Sequence, residues 1–126
     1  MLLTVLKVAF GGAIGASLRY LSGVAIARAF GTGGFPLGVI FVNILGSFLM
    51  GFLVVTFGHK GWSHLNPLVM TGILGGFTTF SSFSLEAWTL FERGQTGQAA
   101  AYVLLSVAVS LAGLVAGVHL GRSVIA

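Results

Sequence analysis

The amino-acid sequence predicts an all-α membrane protein, built as a single domain with four transmembrane helices. Of its 126 residues, 56% are hydrophobic and 6% are charged, and the mean hydropathy is +1.06. A soluble domain carries about 25% charged residues because its surface must stay hydrated, so the composition excludes a soluble enzyme. The chain has no cysteine, which also excludes a disulfide scaffold and thiolate metal sites.

Short polar or glycine-rich turns divide the chain into four apolar segments of about 20 residues, the length that crosses a bilayer. The predicted spans cover residues 3–30, 36–57, 67–91 and 98–121, and Pro36 suits the first turn of the second helix. Lys7 interrupts the first apolar run, whose apolar character continues past residue 20, so we expect no cleaved signal peptide. Four spans with short loops place both termini on one side of the membrane.

The basic residues stand singly along the chain, which favours anchors that contact membrane lipid over nucleic-acid binding. Their distribution across the membrane is almost even. The side of the termini has Lys7, Lys60 and Arg122, and the other side has Arg28 and Arg93. Arg19 is ambiguous between the two sides. Cytoplasmic loops normally carry an excess of Lys and Arg. The near balance has two explanations: orientation by a partner or the insertion machinery, or dual topology, in which copies insert both ways and pair antiparallel.

Small residues recur every four positions, for example at Gly11 and Gly15 and at Gly113, Gly117 and Gly121. This spacing lets helix backbones approach closely in a bilayer, where lipid provides no hydrophobic force for association. Because four helices are few to enclose a polar path, we expect a homo-oligomer.

The third span combines three glycines with six hydroxyl residues between Thr71 and Ser84. Gly75 and Gly76 each lower helix propensity by about 1 kcal/mol relative to alanine. A non-helical break within the membrane is tolerated only where it is buried in protein or lines water, and such breaks commonly bind ions. We therefore predict a helix broken near its middle. The alternative is a continuous helix whose hydroxyls bond to the preceding turn.

Three polar residues stand out within the first three spans. Asn43 lies roughly 10 Å into the second span, where it serves either as an interhelical hydrogen bond or as a donor in an ion path. Arg19 lies roughly 24 Å along the first helix and either reaches the interface or places a positive charge at a vestibule that attracts anions. Glu86 is either a helix-end carboxyl group reaching for the interface or part of a functional site.

The third and fourth spans also carry aromatic and hydroxyl groups in register. Phe80 and Phe83 share a helix face, where their rings either pack or turn their positive edges towards an anion. Tyr102, Ser106 and Ser110 repeat every four residues. They form either a polar stripe on the fourth helix or a set of hydroxyls bonded back to that helix.

Three ordered motifs resemble those of the bacterial fluoride channels of the Fluc (CrcB-like) family: GGAIGASLRY at residues 11–20, VNILGSF at residues 42–48 and GGFTTFSSFS at residues 75–84. The resemblance covers essentially the whole chain in length and span number. It implies an antiparallel dual-topology homodimer of four-helix subunits that exports fluoride passively across the bacterial inner membrane. It also implies two pores lined by both subunits, discrimination against chloride, protection from cytoplasmic fluoride and no enzymatic activity.

The same resemblance implies roles for individual residues. By position, Asn43 would donate a hydrogen bond in the pore, and the ring edges of Phe80 and Phe83 would line the fluoride path. A structural sodium ion (Na+) would lie at the third-helix break in the dimer interface, bound by the backbone carbonyls of Gly75 and Thr78 from each subunit. Tyr102, Ser106 and Ser110 would form a polar track on the fourth helix. Ser81 and Glu86 would lie near one end of the pore, and Arg19 would be the basic residue of the first motif.

Two other classes fit four short spans. A small proton-coupled multidrug exporter places a glutamate in its first span, whereas this first span contains Arg19 and no acidic residue. A non-transporting membrane assembly subunit would use the glycine-rich faces only for docking, which leaves Asn43 and the hydroxyl-rich third span without a role.

Overall fold

The computed structural model describes residues 1–31 and 34–125, and every regular element within them is helical. The long helices are Leu2–Phe30 (α1), Leu37–Lys60 (α2) and Thr96–Ile125, the fifth α-helix of the chain (α5). The third span, Ser63–Glu92, consists of shorter helical pieces and opens with a 3₁₀ turn, Ser63–Leu65. Within the described residues, four helical segments are long and apolar enough to cross a membrane, which confirms the all-α class and the four spans.

The third span is interrupted near its middle. It starts as a π-helix, Pro67–Leu74, continues as one α-helical turn, Gly75–Phe77 (α3), and resumes as Phe80–Glu92 (α4). Between α3 and α4 the backbone is extended at Thr78 (φ −87°, ψ 158°) and Thr79 (φ −152°, ψ 121°). The structure confirms the predicted bend near the middle of this span.

The break lies just after the glycine pair that indicated it. Gly75 keeps α-helical angles, φ −62° and ψ −37°. Extended angles suit the β-branched side chains of the two threonines. Gly76 is needed for packing, because a Cβ there would stand 2.7 Å from the carbonyl oxygen of Gly12. The glycines thus permit a close helix contact, and the threonines form the break.

Helix α1 lies backbone to backbone against the π-helix. Gly11 and Gly15 are both buried there. A Cβ on Gly11 would collide with the carbonyl oxygen of Leu68, and a Cβ on Gly15 with that of Ile73. The four-residue glycine spacing therefore seats the first half of the broken span directly on α1.

Helices α2 and α5 run parallel and pack through glycines in the same way. A Cβ on Gly117 would collide with the carbonyl oxygen of Phe48, and a Cβ on Gly51 with that of Leu114. One turn further along, a Cβ on Gly121 would approach the carbonyl oxygen of Phe52 to 3.2 Å. This contact fixes the register of α5 against α2.

The outer faces are apolar, and the chain is a multi-pass membrane protein. Large side chains such as Phe10 on α1 and Leu104 on α5 are exposed on the surface of the protein. In a bilayer these faces contact lipid acyl chains or another subunit. The buried apolar cluster lies between α4 and α5 and includes Phe83 and Tyr102.

Candidate ion pathway

The side-chain amide of Asn43, on α2, bridges the break in the third span. Its Nδ2 donates to the carbonyl oxygen of Thr79 at 3.0 Å, and the backbone N–H of Thr79 donates to Asn43 Oδ1 at 2.8 Å. One amide thus pairs with both backbone groups of Thr79, which lie outside the helices. A primary amide carries two N–H donors, so the second Nδ2 proton of Asn43 stays available.

Other side chains pair with further backbone groups around the break. The Thr78 hydroxyl donates to the carbonyl oxygen of Leu74 at 3.0 Å, and the Ser82 N–H donates to Thr79 Oγ1 at 3.2 Å as an N-cap for α4. Arg19 Nε, from α1, donates to the carbonyl oxygen of Gly76 at 3.0 Å. The guanidinium therefore contacts protein backbone. It does not reach the membrane interface, which was one of the two alternatives predicted for Arg19.

A cavity of ≈ 300 Å³ lies beside the break, between α2, α4 and α5, and we call it the Ser106 cavity. It brings together five of the predicted path residues. Among its described lining residues none is charged. The lining consists of Asn43, Gly46, Ser47, Met50, Thr78, Thr79, Phe80, Phe83, Ser106, Val107, Ser110 and Leu114.

Two hydroxyl groups of this cavity are buried without a hydrogen-bond partner among the described residues. They belong to Ser106, which is 5% exposed, and to Ser110. Elsewhere in the chain hydroxyls bond back to their own helix, as Thr56 does to the carbonyl oxygen of Phe52 at 2.8 Å. Of the two predicted alternatives for these serines, the structure therefore matches the polar stripe. A buried hydroxyl without a hydrogen-bond partner lowers the stability of the fold by about 1–3 kcal/mol. A ligand that accepts hydrogen bonds from these two hydroxyls would recover that cost.

An aromatic column runs from the Ser106 cavity towards the start of α2. Phe80 lies against Phe83 with ring centroids 5.4 Å apart, and Phe83 stacks on Tyr102 with centroids 5.5 Å apart. The rings of Phe35 and Tyr102 are nearly perpendicular, with centroids 5.5 Å apart. The Tyr102 hydroxyl, fully buried, donates to Glu86 Oε2 at 2.7 Å. Glu86 is thus tied to α5 rather than free to reach the interface.

A second cavity of ≈ 610 Å³, the Arg19 cavity, lies between α1, the start of α2, and α4. Its lining includes the charged side chains of Arg19, Glu86 and Arg93, and Thr79 lines both cavities. The broken segment therefore separates an uncharged chamber from one that contains two arginines.

Comparison with known proteins identifies the relatives of this chain. The family model described as "CrcB-like protein, Camphor Resistance (CrcB)" matches residues 6–118. The chain belongs to this family. A curated relative named "Fluoride-specific ion channel FluC", from Ruegeria sp. (strain TM1040), is 64% identical over 125 residues, which cover 99% of both chains.

Two more distant relatives carry the same name, "Fluoride-specific ion channel FluC". The protein of Cereibacter sphaeroides (strain ATCC 17029 / ATH 2.4.9) is 62% identical over 117 residues, which cover 93% of both chains. The protein of Paracoccus denitrificans (strain Pd 1222) is 50% identical over 123 residues, which cover 98% of both chains. The resemblance indicated by the three sequence motifs is confirmed.

Some predicted site residues of this CrcB-like protein lie apart from the two cavities. Ser81 is exposed and lines neither cavity, although its Oγ lies 3.3 Å from Thr79 Oγ1. Gly75 is exposed on the subunit surface, and Thr78 is partly buried. In residues 1–31 and 34–125 no hydrogen bond reaches the carbonyl oxygens of Gly75 and Thr78.

Sequence reasoning missed two residues of the site. Thr79 lines both cavities and pairs with Asn43. The two consecutive threonines within a membrane span are the signal that could have indicated it. Phe35 contacts Tyr102, but it lies in the turn before α2, where no periodicity distinguishes one aromatic residue from another.

Proposed function

We propose that this chain is the subunit of a fluoride-selective channel that exports fluoride passively across the bacterial inner membrane and so lowers its toxicity in the cytoplasm. The observation that carries the proposal is a pair of buried hydroxyls, those of Ser106 and Ser110, which line one cavity with Asn43 and have no hydrogen-bond partner among the described residues. The names of the curated relatives support the same function.

The donors of the Ser106 cavity suit a small, strongly hydrated anion. A pore for such an ion must replace its water shell with several donors and still release it. Ser106, Ser110 and the second amide proton of Asn43 supply hydrogen bonds, and the ring edges of Phe80 and Phe83 supply weaker positive potential. Because none of the described residues that line the cavity is a cation, an anion is not trapped by an ion pair. Arg19 and Arg93 in the neighbouring cavity add the positive potential that attracts an anion.

The working channel in this proposal is an antiparallel homodimer with dual topology. Phe80 lines the Ser106 cavity and is nevertheless 77% exposed on the single subunit, so a second subunit would complete the wall beside it. The even distribution of basic residues across the membrane supports insertion in both orientations.

A sodium ion at the dimer interface belongs to the same proposal. Sodium is a hard cation that prefers oxygen ligands, and the carbonyl oxygens of Gly75 and Thr78 lie beside the break without hydrogen bonds from the described residues. Each subunit offers two such oxygens, so two subunits would offer four. A bound sodium ion would supply positive charge that holds the two broken helices together.

Anion flux from proteoliposomes tests this function. Vesicles loaded with potassium fluoride or potassium chloride receive valinomycin, which carries the counter-charge, and released anion is measured with an ion-selective electrode. We expect rapid fluoride release and no chloride release. Release of both anions at similar rates, or of neither from folded protein, would contradict the proposal.

Removal of the two hydroxyls tests the site. The double variant Ser106→Ala/Ser110→Ala should slow fluoride release at least tenfold, because a lost hydrogen bond to an ion corresponds to about 1.5–3 kcal/mol. Ser123→Ala, an exposed serine on the same helix, is the matched control and should conduct normally. Equal flux in the double variant and the control would remove these serines from the ion path.

Neither rival class is supported by a specific observation. Helix α1 contains no acidic residue for a proton-coupled exporter, and Glu86 is hydrogen-bonded to Tyr102. A non-transporting assembly subunit would leave the two cavity hydroxyls without a purpose.

A further inference from the structure

Arg19 contacts the one turn of helix that immediately precedes the break. In an unbroken α-helix the carbonyl oxygen of Gly76 would accept the N–H of Phe80. The extended threonines remove that partner, and Arg19 Nε takes its place at 3.0 Å. The contact joins residues 57 positions apart in the chain, so it links α1 directly to the break.

Helix α1 holds Gly76 from a second side as well. The Cα of Gly76 packs so closely on α1 that an added Cβ would stand 2.7 Å from the carbonyl oxygen of Gly12 and 3.1 Å from the backbone nitrogen of Ala16. The backbone of Gly76 is therefore fixed by packing on one side and by a guanidinium hydrogen bond on its carbonyl. Gly75 precedes it directly, and Thr78 follows two residues later.

We propose that Arg19 is a positioning residue that clamps the Gly76 carbonyl and thereby holds the carbonyl oxygens of Gly75 and Thr78 in the geometry that binds sodium. This role rests on the sodium site of the proposed function. It differs from that of a vestibule charge, because a vestibule charge acts on the anion through space and needs no contact with the break.

The shape of the guanidinium is central to the clamp. Its planar fork fixes the direction of the Nε–H that donates to Gly76, and Arg19 also lines the Arg19 cavity. A lysine at the same position would keep the positive charge but would carry a single ammonium group on a flexible chain. Lysine therefore separates the effect of charge from the effect of the fixed hydrogen bond.

Hydrogen exchange and sodium titration on the purified full-length protein in nanodiscs test the clamp. The variants are Arg19→Lys and Arg19→Met, with Arg28→Lys and Arg28→Met as matched controls, because Arg28 is an exposed arginine on the same helix. Exchange is followed in peptides covering residues 72–80. Sodium binding is followed by the sodium concentration at which thermal stability rises half-way, with N-methylglucamine keeping the ionic strength constant.

The expected result is exchange about tenfold to a hundredfold faster at the amides of Thr78 and Thr79 in both Arg19 variants, which is the loss of one charge-assisted hydrogen bond. The sodium midpoint should rise at least tenfold in both, and both Arg28 controls should match the wild type. If Arg19→Met does not fold, the comparison of Arg19→Lys with Arg28→Lys still decides the question.

Three results would overturn the inference. Wild-type exchange in both Arg19 variants would show that no clamp exists. An Arg19→Lys protein with the wild-type sodium midpoint would show that charge alone suffices. A wild-type protein whose stability does not respond to sodium would remove the sodium site itself, and with it the purpose assigned to the clamp, while leaving the fluoride-flux test unaffected.

Discussion

We expect Asn43 to stabilise the break through its two hydrogen bonds to Thr79, and replacing it tests this role. Asn43→Ala removes both hydrogen bonds to Thr79, 3.0 and 2.8 Å long, and leaves a backbone N–H and a carbonyl without protein partners. Each such group costs about 1–3 kcal/mol. Because Thr79 lines two cavities that water can enter, we expect the lower end of the summed range, a loss of about 2–3 kcal/mol in the free energy of unfolding.

Asn43→Asp tests whether Asn43 lines the ion path. An aspartate keeps the acceptor for the Thr79 N–H but places an oxygen where Nδ2 now lies, 3.0 Å from the Thr79 carbonyl oxygen. It also adds negative charge to a cavity whose described lining includes no cation. At an effective dielectric constant of about 20, an anion about 4 Å away would be repelled by about 4 kcal/mol. We therefore expect fluoride release to fall at least a hundredfold.

The assay for both variants combines stability and flux. Unfolding is followed by tryptophan fluorescence during titration with sodium dodecyl sulfate, and fluoride release is measured from proteoliposomes. Asn66→Ala is the control, because Asn66 makes no side-chain cap and its buried Oδ1 has no partner in the described part of the chain. If Asn43→Ala were as stable as Asn66→Ala, the bridging role would be wrong. If Asn43→Asp conducted like the wild type, Asn43 would not line the ion path.

Two further substitutions test the packing and the aromatic column. Gly117→Ala should destabilise the protein by about 1–3 kcal/mol, because the added methyl group meets the carbonyl oxygen of Phe48. The control is Gly97→Ala, whose added methyl group would have no described atom within 4 Å and should not destabilise the protein. Equal unfolding midpoints for the two variants would contradict the close contact of α2 and α5. Tyr102→Phe keeps the ring stack but removes the 2.7 Å hydrogen bond to Glu86, so stability should fall by about 1 kcal/mol and fluoride release should slow; unchanged values of both quantities would show that this hydrogen bond contributes nothing.

The sequence alone determined the features that depend on local composition. Hydropathy is a property of each segment, so the four spans, the membrane class and the short turns followed from it. The three motifs gave the family because their residues lie close together in the chain. The glycine and hydroxyl content of the third span indicated a break because helix propensity is also a local quantity.

The tertiary structure alone decided which groups meet. The close approach of Gly76 to α1, just before the break at Thr78 and Thr79, is a contact that no local propensity describes. Asn43 and Thr79 lie 36 positions apart in the chain, and they pair only because α2 passes the break at that depth. Arg19 was expected at the interface or in a vestibule, and it binds a backbone carbonyl because the break freed one within its reach.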